Sequence, residues 1–232
     1  MNQTELPEIP GGWTVADFTM GDRTFRLTLP AVPDAFLDDP NVQQANKQND
    51  YMPYWAYLWP ASTTMGRLIL EEKWPSLLRT LEIGTGVGLV GIAGLAAGLD
   101  VTFSDYDQQS VESAQRSAAA NGFDNVPGWH LDWRKLDRDV APFDLIIGCE
   151  VVYEAGNHPL VLNVLDRYLA ADGVCWIGDP GRVHCPGFCK MALARGYDIT
   201  LRDATGAELP LRNGELALEH GQFRMLVLKK RK

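Results

Sequence analysis

Seven residues, Glu82-Ile83-Gly84-Thr85-Gly86-Val87-Gly88, carry three glycines at every second position behind an acid-bearing apolar run. Glycine lets the backbone take positive φ and lets a ligand lie against the main chain. The apolar stretch that follows, Leu89-Val90-Gly91-Ile92-Ala93, reads as a helix. Its first N–H groups have no intrahelical partner, and its dipole is positive at that end. A strand, a tight turn and a helix start in so few residues make a binding site for a small polar ligand. Two frames overlap here. Gly84 to Gly88 reads GxGxG, and Gly86 to Gly91 reads GxGxxG, the dinucleotide fingerprint, with Asp105 at a suitable distance for a ribose. The dinucleotide frame needs its first glycine directly after the strand, and Gly84 takes that place. Glu82 at the strand tip also favours the first frame, since a carboxylate facing the turn suits an ammonium better than a pyrophosphate. S-adenosylmethionine (SAM) carries such an ammonium and is the expected ligand.

In an open parallel sheet, ligands lie outside the carboxyl ends of the strands. The second strand ends in Ser104-Asp105-Tyr106-Asp107. Asp105 is expected to accept from both ribose hydroxyls, and Asp107 to cap the next helix. The third ends in Leu131-Asp132-Trp133, where Asp132 could accept from an adenine amino group and Trp133 cover the ring, or simply fill the core. The fourth ends in Cys149-Glu150-Val151-Val152-Tyr153. Cys149 is small enough to let the ligand approach the backbone, and Glu150 and Tyr153 are polar groups at the mouth. Arg182, after the fifth strand, reads equally well as an exposed turn residue or as a guide for an acidic substrate group.

The elements that must position these residues follow from period and punctuation. Residues 80–83, 100–104, 127–131, 143–149 and 174–178 read as strands. Helices are expected over 88–97, 108–121, 157–171 and 186–195, with an irregular segment after the third strand. Alternation of strand and helix means a parallel sheet covered on both faces. Strands near 197–202 and 222–229 have only turn residues between them, Asn213-Gly214 included, and predict an antiparallel edge hairpin. The fold class is therefore α/β: Rossmann-like, seven-stranded, mostly parallel. Residues 1–50 read as an extension with a β-hairpin over 13–29, and 51–232 as the ligand-binding domain. Residues 1–12 look loosely attached, and 30–50 like a loop or a short mobile helix. Tyr51 to Trp59 holds five aromatics in nine positions, suited either to a lid or to core packing, and Pro60 suits the first turn of a helix reaching Glu72.

Composition narrows the partners. The 232 residues have 46% hydrophobic and 22% charged content and a net charge of −9. That excess of acid argues against a nucleic-acid backbone as partner. The terminal Lys229-Lys230-Arg231-Lys232 reads as a solvated tail. No apolar run approaches the ~20 residues of a membrane span, and the start of the chain has no signal-peptide pattern, so a cytoplasmic protein is expected. His184-Cys185-x-x-x-Cys189 lacks a further nearby ligand, and no metal is expected.

With these pieces in place, the chain resembles the seven-strand SAM-dependent methyltransferases, and within them methyltransferase family 16, which includes many protein lysine methyltransferases. The resemblance covers roughly residues 51–180. Tyr57-Leu58-Trp59-Pro60-Ala61 is similar to the family's Trp-containing motif, and Glu82 to Gly86 to its glycine motif. Glu150-Val151-Val152-Tyr153 is similar to its Asp/Glu-x-x-Tyr/Phe signature, with glutamate where aspartate is commoner. The resemblance implies that Trp59, Gly84, Thr85, Gly86, Asp105, Trp133 and Cys149 contact SAM, with Glu82, Gly88 and Asp132 added from the strand-end reading. It implies that Glu150 and Tyr153 face the substrate amine. The expected activity is N-methylation of a protein lysine, leaving S-adenosylhomocysteine (SAH). In that reading Glu150 captures the ammonium and Tyr153 or water relays its proton. A small-molecule amine as acceptor, or a non-catalytic SAM-binding protein, is the alternative. A nicotinamide-dependent dehydrogenase fits less well, because its frame is out of register. Oligomeric state cannot be read from the sequence.

Overall fold

A computed structural model describes residues 6–210 and 220–231. Its centre is an eight-stranded sheet of order β5-β4-β3-β6-β7-β10-β8-β9. Five strands run parallel: β3 (Arg79–Ile83), β4 (Asp100–Asp105), β5 (Gly128–His130), β6 (Phe143–Cys149) and β7 (Leu169–Asp179). The last, β10 (Arg224–Lys230), inserts antiparallel between β7 and β8 (Tyr197–Arg202). The expected antiparallel end is therefore present, but its second strand is internal, which matches the unbroken buried run Arg224 to Leu228. The eighth strand, beyond the seven expected, is the two-residue β9 (Glu208–Leu209) on the outer edge. The expected turn at Asn213-Gly214 lies outside the described residues.

Alternation along each strand feeds two apolar layers. Ile146, Cys175, Ile177, Leu226 and Leu228 face α5 (His158–Tyr168) and α6 (Cys185–Ala194). Leu145, Ile147, Trp176, Met225 and Val227 face α2 (Ala61–Glu71), α3 (Leu89–Ala96) and α4 (Gln108–Ala120). The helix expected over 157–171 stops at Tyr168, because Leu169 already pairs with Phe143 as the start of β7. Cys185 and Cys189 lie buried on α6 among apolar side chains.

The hairpin β1 (Trp13–Met20) and β2 (Arg23–Pro30) forms its own two-stranded sheet. Met20, Phe25 and Leu27 drop into the layer shared with α2 and α3. The edge of β2 docks on α4 through side chains spaced by four. Ser113 Oγ donates to Thr28 O, Ser117 Oγ accepts from Thr28 N, and Asn121 both accepts from and donates to the Arg26 backbone. Backbone groups that a lone hairpin would leave to water are thus paired.

The described part of segment 1–12, residues 6–12, is packed on the protein, and 30–50 contains the short helix allowed for. Ile9 is buried with Phe36, Trp55 and Ala56. Residues 30–50 contain a 3-10 turn (Pro33–Asp38) and α1 (Pro40–Asn49), whose N-cap Asp39 accepts from the Asn41 and Val42 N–H groups. The Pro at the first helical position and the capping carboxylate explain why this polar stretch is helical. At the other terminus, Lys230 Nζ donates to Leu169 O and Arg231 pairs with Asp198, so this part of the basic run is docked rather than solvated.

Candidate functional site

Every parallel strand except the short β5 ends on one cleft of ≈ 420 Å³, and β5 reaches it through the loop that follows. The floor is Gly84 and Gly86 after β3, Asp105, Tyr106 and Asp107 at β4, and Asp132, Trp133 and Arg134 after β5. Cys149, Glu150, Val151 and Tyr153 follow β6, and Arg182 follows β7. Tyr51, Met52, Tyr54, Trp55 and Trp59 line it from the aromatic segment. Six carboxylates and two guanidiniums line the cleft, so it favours a ligand with positive charge.

The turn after β3 has φ of +62°, +54° and +85° at Gly84, Gly86 and Gly88, a backbone that only glycine holds without strain. Gly84 and Gly86 line the cleft, and Gly88 does not. A Cβ at Gly88 would come within 2.7 Å of Ala114 Cβ, so this glycine lets α3 and α4 pack closely. Thr85 also turns away from the cleft. It is buried, and its hydroxyl donates to Glu82.

Glu82 has partners within the chain. It is 2% exposed, and its carboxylate is spent on the Thr85 hydroxyl and on Gly91 N at 2.8 Å. It braces the glycine turn against the first turn of α3, and with Thr85 it lines a small pocket of ≈ 30 Å³ that shares Trp59, Gly84, Gly86 and Cys149 with the large cleft. Gly91 exists to let it in: a Cβ there would meet the Glu82 carboxylate and come 2.5 Å from Phe103 Cε1. Gly91→Ala is expected to cost about 1–3 kcal/mol through overpacking. Thermal unfolding should register about 2–4 °C for each kcal/mol in a chain of this size.

Burial pushes the Glu82 carboxyl up to about 8 from 4.5, and the nearby Asp105 charge adds to the rise. A folded-state value above the unfolded one means that the folded chain binds the proton more tightly. The resulting stability is complete below pH 4.5 and is lost as pH climbs toward 8. Urea midpoints should therefore decline across that window. Glu82→Gln can still accept from Gly91 and donate to Thr85, and should make the decline shallower. An unchanged slope would contradict a buried, titrating Glu82.

Asp105 is 7% exposed and meets the turn from the neighbouring strand. Its Oδ2 accepts from Gly86 N at 2.9 Å and its Oδ1 from Asp107 N at 3.0 Å. Each carboxylate oxygen has a second lone-pair direction, so a diol can still be held. Asp107 stands at the N-cap position of α4, but its side chain makes no capping bond. It accepts instead from the Tyr51 hydroxyl at 2.7 Å. Burial and the charge of Asp105 push Asp107 up to about 7. No sequence pattern pairs Tyr51 with a residue 56 positions away, so this contact was not legible.

Asp132 is held bidentate by Arg134 at 2.8 and 3.0 Å, which lowers its pKa. The Arg134 guanidinium lies 4.9 Å from the Tyr106 ring centroid. Asp132 thus reaches the cleft already ion-paired. Trp133 packs on the core as well as lining the cleft, and its Nε1 is buried without a partner. Cys149 is half-buried beside Ser62 Oγ at 3.8 Å, and burial raises its thiol.

Glu150 lines the cleft after β6, and it already has partners within the chain. Its side chain is 3% exposed, and Arg182 Nη2 donates to its Oε2 at 2.5 Å. Ala61 N, at the start of α2, donates to its Oε1 at 3.2 Å. Its φ of +55° is in the left-handed region, an uncommon place for a long side chain and a sign of a constrained position. The Arg182 guanidinium lies 5.4 Å from the Trp59 ring centroid. Tyr153 stands edge-on to Tyr54, which stands edge-on to Trp59, and Trp59 Nε1 donates to Tyr54 O. The aromatic segment packs into the core and also lines the cleft. Trp55 and Ala56 anchor it in the core, and Tyr51, Tyr54 and Trp59 cover the cleft.

Comparison with known proteins adds relatives to this geometry. Residues 47–182 match the family model of methyltransferase family 16, described as lysine methyltransferase. A histidine protein methyltransferase 1 homolog of Dictyostelium discoideum is 31% identical over 126 residues, 52% of this chain and 41% of that protein. Protein N-lysine methyltransferase METTL21A of Danio rerio is 30% identical over 136 residues, 51% of this chain and 57% of that protein. The chain thus spans about half the length of the curated relatives it matches. Among solved structures, the Thermus thermophilus 16S rRNA N2 G1207 methyltransferase, in complex with AdoMet and guanosine, aligns with a TM-score of 0.62 at 18% identity. That alignment covers 98% of this chain and 53% of the other, and it identifies the fold. Among the described residues no helix is long and apolar enough to cross a membrane.

Proposed function

The chain belongs to the lysine methyltransferase family, and from that premise we propose that it transfers a methyl group from SAM to a lysine side chain of a protein. The observation that carries the reading is the convergence of Gly86, Asp105, Trp133 and Glu150 from four strand ends on one acid-rich cleft. The cleft fits the cofactor chemically. Gly84 and Gly86 keep its floor free of side chains, and Asp105 has lone pairs left for the two ribose hydroxyls. The Trp133 ring lines the cleft at the place read for adenine. The excess of carboxylates suits a cationic ligand.

SAM supplies an electrophilic methyl group on a sulfonium. The protein's part is to bring a lysine nitrogen, stripped of its proton, into line with it. Taking that proton at pH 7 costs about 4–5 kcal/mol from an ordinary pKa of about 10.4. A lone carboxylate would raise the cost by favouring the ammonium. Glu150 is not alone, because Arg182 and the α2 backbone share its charge, and in this reading it orients the amine rather than traps the cation. Burial pushes the Tyr153 hydroxyl up to about 12, so it stays protonated at neutral pH. It can accept a hydrogen bond from the amine and pass a proton outward, but it does not act as a standing phenolate base. Tyr54 and Trp59 exclude water from the transfer path. We keep a cytosolic setting, and no role in nucleic-acid binding, as part of the proposal.

Incubation with tritiated SAM and a lysate, followed by separation of protein from small molecules, tests the reading. Label is expected in protein, and hydrolysis should return it as methyl-lysine. Label confined to the small-molecule fraction would replace the reading with a small-amine methyltransferase. Methylhistidine would move the acceptor to imidazole.

A further inference from the structure

We infer that Arg182 is a positioning residue of the methyl-transfer centre: it cancels the charge of Glu150 where the methyl group is delivered, so that the acceptor nitrogen is received uncharged. The inference rests on the methyl-transfer reading above and concerns a residue whose own sequence context leaves it undecided between a surface turn and a substrate guide.

Arg182 is held too firmly for an incidental surface contact. Asp179, fully buried at the end of β7, accepts from both Gly181 N and Arg182 N, at 2.8 and 2.9 Å. Gly181 has φ +94°, and a Cβ there would lie 2.5 Å from the Gly221 and Gln222 nitrogens, so the chain passes through a slot that only glycine fits. Gly221 N also donates to Gly181 O. The backbone of Arg182 is therefore fixed from both sides. Its guanidinium is fixed as well, by Glu150 Oε2 at 2.5 Å and by the Trp59 ring at 5.4 Å from its centroid.

The electrostatics follow from this arrangement. The Glu150 carboxylate is almost out of water and would otherwise present an unscreened anion to the cleft. Arg182 and the first N–H of α2 take up both of its oxygens. With that anion cancelled, an entering lysine gains no added stabilisation of its ammonium, and losing its proton costs no more than it does in water. Arginine suits this task because it cannot give up its own proton. Its Nε–H is buried without a partner, which adds to the constraint on the guanidinium's position.

The test compares two ligands that differ only in the transferable methyl and the charge it confers. SAM and SAH dissociation constants are measured by calorimetry for the wild type, Arg182→Gln, Arg182→Lys and Glu150→Gln. The ratio of the two constants isolates the charge felt at the sulfonium, whereas a merely structural role moves both constants together. Arg182→Gln uncovers the Glu150 anion, and should shift the ratio toward SAM by about three- to tenfold. Arg182→Lys should restore it, and Glu150→Gln should shift it toward SAH. An unchanged ratio in Arg182→Gln, or a shift in the same direction as Glu150→Gln, overturns the inference. If Arg182→Gln does not fold, Arg182→Met is read in the same way: a shift toward SAM upholds the inference and an unchanged ratio overturns it. Failure of the wild type to bind either ligand is a separate result that removes the methyl-transfer reading itself.

Discussion

Glu150→Gln is expected to lower protein methylation by about 10²–10³-fold, the usual scale for losing one well-placed polar group at a reaction centre. SAM affinity should remain within about fivefold, because the contacts assigned to ribose, adenine and the glycine turn do not involve this side chain. Glutamine is chosen over alanine for a structural reason. Glu150 Oε1 receives Ala61 N and Oε2 receives Arg182. Alanine would orphan both donors and leave a guanidinium facing an empty space, at a cost unrelated to transfer. Glutamine keeps one acceptor and the volume. Single-turnover transfer of label from tritiated SAM to protein, alongside calorimetry of SAM binding, separates the two quantities. Collapse of SAM binding in this variant would sink the substrate-side assignment of Glu150.

Asp105→Ala should raise the SAM dissociation constant at least tenfold. Hydrogen bonds to a charged acceptor are worth about 1.5–3 kcal/mol each, and a factor of ten in affinity is about 1.4 kcal/mol. The same carboxylate holds Gly86 N and Asp107 N, so its removal also leaves two part-buried donors without their partner, at no more than about 1–3 kcal/mol apiece. The variant is therefore expected to melt at lower temperature as well as bind weakly. Calorimetry below its melting transition distinguishes the two effects, and unchanged affinity there removes the ribose assignment. Asp105→Asn keeps a single acceptor oxygen and should fall between the two.

The Asp105 and Glu150 cases show how far the chain could be read in advance. Both residues were found because each directly follows, or ends, a short apolar strand, and the sheet rule sends such residues to one edge. What else they hold could not be seen. Asp105 reaches back 19 positions to the turn, and Glu150 is met by Arg182 from 32 positions ahead. Glu82 is a third such case: its partners within the chain, the Thr85 hydroxyl and Gly91 N, could not be seen in advance, nor that Gly91 leaves room for it.

By itself the sequence determined the alternation of strands and helices, the mostly parallel sheet, the glycine turn and the list of strand ends that deliver polar groups. These depend on short-range periodicity and on residues whose backbone preferences are local. Only the tertiary structure decided what each of those groups faces. It gave Glu82 and Thr85 to bracing the turn and Gly88 to the packing of α3 on α4, and it bound Tyr51 to Asp107. It also set Arg182 between Glu150 and Trp59. The physical reason is the reach of the interactions. A carboxylate's charge is settled by whichever cation or N–H the fold brings within about 3 Å, and chain separation puts no limit on which one that is.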